Sequence, residues 1–127
     1  MPDWIVTKSS PRSVPDTVQR MSELAAAKGL KLFAVIDHSG EAAAHGLELR
    51  DTKVVLFGSP VAGTPVMQTA PLAALDLPLK ILVWDDDGQT RVSYTEPSEL
   101  AARYGLSEEL AARLAGIDPV TDALVSG

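Results

Sequence analysis

A chain of 127 residues is long enough to bury one hydrophobic core and short for two, so a single domain over 1–127 is expected. Hydrophobic residues make up 46% and charged residues 22%, which excludes a disordered chain, and the absence of cysteine removes disulfides, thiolate nucleophiles and thiolate-bound metal centres. The net charge is −6 and the eleven Lys and Arg are scattered from Lys8 to Arg113, so nucleic acid is not an expected partner.

The start Met1-Pro2-Asp3-Trp4 has no basic or apolar leader, and no stretch approaches the ~20 apolar residues that cross a bilayer. A cytoplasmic address without membrane partners is expected. Trp4 to Thr7 is rich in β-formers and Pro11 ends it, which predicts a strand. Ser13 with Asp16 forms a cap signal, and Val14, Val18, Met21 and Leu24 recur at helical spacing until Gly29. Leu30 to Asp37 is apolar on both period-2 faces, as suits a strand covered on both sides, and Thr52 to Phe57 and Leu79 to Trp84 repeat that character. Asp85-Asp86-Asp87-Gly88 signals a turn into Thr90 to Thr95, where Val92 and Tyr94 share a face, so a hairpin joins the last two strands. Pro97 opens a helix that Gly105 closes; Ser107, and Asp118 before Pro119, mark two further helix starts in a tail from 106 to 127.

About five strands and two long amphipathic helices give a two-layer α+β fold in which the helices cover one face of the sheet. The middle strands are apolar on the other face too. A second copy of the chain is the simplest cover for it, and a homodimer is expected.

At Ile36-Asp37-His38, Gly46-Leu47-Glu48-Leu49, Phe57-Gly58-Ser59-Pro60, Gly63-Thr64-Pro65-Val66-Met67, Asp76-Leu77-Pro78-Leu79 and Trp84, the sequence resembles the bacterial domain-of-unknown-function family numbered 302. The resemblance covers about Ser13 to Gly105, and Glu96 stands where an Asp usually precedes the proline. It implies a β-α-β4-α fold with a curved antiparallel sheet, like half of the TATA-binding protein saddle, and it implies dimers; it implies no reaction.

Gly58 and Gly63 are spaced as in a phosphate-binding loop, but Thr64 stands where that loop requires lysine, so nucleotide hydrolysis is rejected. Thr64 before Pro65 reads as an N-cap and first helical residue. If a small anionic molecule binds, the expected site is Gly58, Gly63 and Thr64 with His38 nearby, and Met67 and Gln68 as neighbours on the helix. His38 could alternatively act as acid or base, although Asp37 points to the opposite face of an extended strand, and His45 before Gly46 suits a helix C-terminus. The two histidines lie too far apart for one ion on a helix, and Asp85, Asp86 and Asp87 lack the spacing of a calcium loop. Neither metal nor cofactor is expected. Three readings stay open: a dimeric binding module, an enzyme using His38, and a structural interaction domain.

Overall fold

The structure, a computed structural model, describes residues 2–127. Strands β1 (Ile5–Ser10), β2 (Lys31–Asp37), β3 (Thr52–Gly58), β4 (Leu79–Asp86) and β5 (Gln89–Thr95) form one antiparallel sheet in the order β1-β5-β4-β3-β2. The helices are α1 (Val14–Ala27), α2 (His38–Ala44), α3 (Pro60–Thr69), α4 (Pro97–Arg103), α5 (Glu108–Leu114) and α6 (Ile117–Val125), with a 3-10 turn at Pro71–Asp76. The α+β class and the open five-stranded antiparallel sheet are as expected. The β-α-β4-α outline gains α2 and α3, on either side of β3, as well as the two tail helices.

Alternating strand directions leave β1 and β2 parallel at opposite edges, so α1 must carry the chain across the whole sheet. Its 14 residues span about 21 Å at ~1.5 Å each, against about 19 Å for four inter-strand spacings of ~4.8 Å. The Ser13 Oγ accepts from the Asp16 amide at 3.1 Å, as its position before the apolar repeat predicts. Met21 and Ala25 of α1 are buried, and Thr17 shares a 2.8 Å hydrogen bond with Ser10, which extends β1 three residues beyond the expected end.

The main core lies between α1, α6 and one face of the sheet, where Val55, Phe57, Ile81, Val83, Val92 and Tyr94 meet Val14, Met21, Ile117, Val120 and Leu124. The tail is therefore part of the core. Its docking is polar as well as apolar: Arg12 donates to the Leu124 and Ser126 carbonyls at 3.0 Å each, and Arg20 to the Ala123 carbonyl at 3.0 Å. These cations gather at the carbonyl end of α6, where the helix dipole favours positive charge, and the Ala123 carbonyl also accepts from the Ser126 hydroxyl at 2.8 Å. Lys8 reaches Thr121 at 2.7 Å and Asp122 at 2.8 Å. The expected helix start at Asp118 is corrected: α6 begins at Ile117 after Gly116, and the Asp118 carboxylate instead accepts from the Tyr94 hydroxyl.

In the β4–β5 hairpin, Asp87 (φ 49°) and Gly88 (φ 93°) both adopt positive φ between the paired Asp86 and Gln89. This is the turn whose twist matches that of the strands, and it favours glycine at its second centre. A second core, Val66, Ala73, Leu100 and Leu114, joins α3, the 3-10 turn, α4 and α5, with Leu79 packed against both cores. Glu96 precedes α4 without a side-chain capping bond.

One strand departs from expectation. β2 is not covered on both sides but is an edge strand, with Phe33 46%, Val35 42% and Ile36 40% exposed. On the face away from the helices, Ile36 continues a band through Val54, Leu56, Leu82 and Trp84, all left partly open to solvent.

Candidate functional site

The loop singled out by its glycines forms one wall of a cavity of about 420 Å³. Its floor is where β3 ends and β4 begins, at Gly58 and Leu79. Phe33, the residue at the register shift of β2, closes one side. The 3-10 turn and the residues after it contribute Ala74, Leu77 and Pro78, and α5 contributes Leu114 and Arg113. The turn is braced from outside, where Asp76 accepts from the Tyr104 hydroxyl and meets Arg103 at 3.3 Å. The tyrosine hydrogen bond, with help from the guanidinium, outweighs partial burial and holds the Asp76 carboxyl below its ordinary range.

The helix start is corrected. α3 begins five residues before the expected place: Ser59 is the N-cap, its Oγ accepting from the Ala62 amide at 3.3 Å, and Pro60 holds the first helical position. Ser59-Pro60 and Thr64-Pro65 carry the same start signal, and the earlier one wins, leaving Thr64 and Pro65 inside the helix. The donors expected for an anion are consequently occupied. Pro60 has no N–H, Ala62 donates to the Ser59 side chain, and Gly63 donates to the Ser59 carbonyl at 2.8 Å.

Of the expected site residues, Gly58, Gly63, Thr64 and Met67 line the cavity together. Gln68 is exposed and faces elsewhere. His38 is not brought to them: Lys31 pairs with Gly58 and Asp37 with Lys53, so His38 lies past the far end of β2, about 20 Å away at ~3.3 Å per residue. There it is the exposed first residue of α2, and Asp37 is engaged in capping that helix through the Gly40 amide at 2.9 Å. His45 caps the same helix at its other end, as its place before Gly46 suggested.

The lining is apolar apart from Ser59, Thr64 and Arg113, and Arg113 is its one ionisable side chain. Among the described residues no carboxylate pairs with Arg113. A Cβ at Gly63 would meet nothing within 4 Å, so the cavity is open along that stretch of α3. At Gly58 a Cβ would make ordinary contacts with Pro78 and Phe33, at 3.7 and 3.9 Å, which seal the floor. Among the described residues no three His, Asp or Glu side chains converge on a possible ion site. Sequence reasoning missed Phe33, Leu77, Leu114 and Arg113, because their approach is set by how α5 and the 3-10 turn pack on α3. Arg113 in isolation reads as a cation serving the C-terminus of α5.

A two-layer α+β domain with an apolar, ligand-sized cavity at one end of its sheet is the class that fold and site define. The sequence pattern of the family described as "Domain of unknown function DUF302" matches residues 6–124, and the chain belongs to that family. The match runs past Gly105 into α6, in keeping with the place of the tail in the core. The crystal structure of an uncharacterized conserved DUF302 protein from Bacillus stearothermophilus shares the fold, with a TM-score of 0.83 over 98% of this chain and 97% of that one, at 18% identity. Two curated relatives, both named fluoride-specific ion channel FluC 1, come from Brucella suis biovar 1 (strain 1330) and Brucella abortus biovar 1 (strain 9-941); each is 36% identical over 122 residues. The matches take in 92% of this chain and 48% and 45% of those proteins, so the chain spans about half their length. No helix among the described residues is long and apolar enough to cross a membrane.

Proposed function

We propose that this domain is a homodimeric binding module that holds a small organic molecule in the cavity between β3, β4, α3 and α5. The observation that carries the reading is the cavity itself. Its 420 Å³ falls within the usual ~300–1,000 Å³ of small-molecule sites, and its apolar walls carry few polar groups, as such sites do. No proton-transfer group lines it, so binding is favoured over the reading in which His38 acts as acid or base. The test is a titration with n-octanol followed by the methyl resonances of Met67, Leu77, Leu79 and Leu114. Those methyls should move in the native chain and stay still in Gly63→Leu, whose side chain enters open space on the cavity wall. Unmoved methyls in the native chain would refute the reading.

The dimer in this proposal is supported by the apolar band on the helix-free face, which a two-fold axis can cover with the same band of a second copy. Light scattering should give twice the 13.4 kDa of one chain. The address proposed is the cytoplasm, since a chain without disulfides needs no oxidising compartment to fold.

The curated relatives favour a second reading, in which the domain works beside a membrane channel and tunes it. The region matched here is under half of each relative and contributes no membrane-crossing helix among the described residues of this chain, which supports a reading in which the channel lies in the other half. Fluoride efflux from vesicles should survive, with altered rate or regulation, when the matched segment is deleted from the Brucella suis relative. Efflux that is unchanged in every respect would remove this reading.

A further inference from the structure

We propose that the cavity takes an amphipathic monoanion, an unbranched carboxylate of about eight carbons, with its chain along the apolar walls and its carboxylate on Arg113. The inference deepens the binding-module reading and rests on it. Three observations fix the class of ligand. Arg113 is the only charge in the lining, and it has no carboxylate partner among the described residues of a chain whose net charge is −6. A cation left unpaired in an acidic protein, at the edge of an apolar cavity, is matched by one negative charge, and the planar guanidinium fork suits a carboxylate.

The occupied amides of α3 argue against a phosphate. Pro60 has no N–H, the Ala62 and Gly63 amides are already bonded and Val61 does not line the cavity, so a dianion there would face one arginine without the backbone cradle that phosphate sites use. Size bounds the length. At ~30 Å³ per water, 420 Å³ holds about 14 water-sized groups. Octanoate, with a short apolar chain and a two-oxygen head, fits within that count and leaves the mouth hydrated.

The test compares octanoate, n-octanol and octylammonium at sub-millimolar concentration and pH 7, in the native chain and in Arg113→Gln and Arg113→Lys. Arg113 is exposed, so neither variant endangers the fold. Octanoate should bind at least tenfold tighter than octanol to the native chain, and octylammonium weakest. Arg113→Gln should remove the preference for octanoate over octanol, and Arg113→Lys should restore part of it. Equal binding of octanoate and octanol to the native chain, with the cavity methyls moving for both, would overturn the monoanion assignment and leave the cavity reading intact. Methyls that move for no probe would overturn both.

Discussion

The C-terminal helix offers the sharpest test of how this fold holds together. Leu124 is fully buried and packs in the main core with Val120 and Ile117. Shortening it to alanine deletes three carbons, and at ~0.8 kcal/mol each the transfer term alone comes to about 2.4 kcal/mol. Movement of the helix into the gap would recover part of that. The arginines oppose such settling: Arg12 holds the Leu124 and Ser126 carbonyls and Arg20 holds that of Ala123, which fixes the last turn in place. A residual cavity therefore persists, at ~24 cal/mol per Å³, and Leu124→Ala should cost about 3 kcal/mol in all. At ~2.1 cal/mol/K per residue the 127-residue chain unfolds with an entropy of about 270 cal/mol/K, so Tm should fall by about 11 °C. Urea unfolding, followed by far-UV circular dichroism, should show a lower midpoint with an unchanged slope. A loss under about 1 kcal/mol would mean that the tail lies loosely on the sheet and that its arginine contacts do not restrain it.

Two further outcomes follow from surface features. Asp76 is held below its ordinary pKa chiefly by the Tyr104 hydroxyl, so its contribution to stability is present above the unfolded carboxylate range near pH 4 and is lost as pH falls through the lower folded value. Tyr104→Phe should therefore reduce stability at pH 7 and converge with the native chain near pH 2, and a deficit that is the same at both values would refute the linkage. Ile36→Lys should halve the mass measured by light scattering while leaving the helical signal unchanged, since Ile36 is 40% exposed in the single chain; a dimer that survives the substitution does not use this face.

What the sequence made legible is what short-range chemistry decides. The cap at Ser13, the hairpin at Asp87-Gly88 and the alternation of Val92 and Tyr94 each depend on neighbours within a few positions, and each is found where it was read. α2 left no such trace, because none of His38–Ala44 is buried and no apolar stripe marks it. The start of α3 is hidden for a different reason: two Ser/Thr-Pro pairs, Ser59-Pro60 and Thr64-Pro65, carry equal local signals, and what separates them is where β3 stops. β2 was misjudged because apolar residues on both faces say that a strand is to be covered without saying by what, and within one chain the sheet order leaves it at an edge. The cavity is the extreme case. Phe33, Leu79 and Arg113 come from three distant segments, and only the packing of α5 on α3 brings the arginine to the cavity edge. The glycine pair, conspicuous for its phosphate-loop spacing, lies on one wall of the cavity, whereas the cation at its edge comes from the tail. A reading confined to the glycine pair therefore reaches one wall of the cavity and not the cation at its edge.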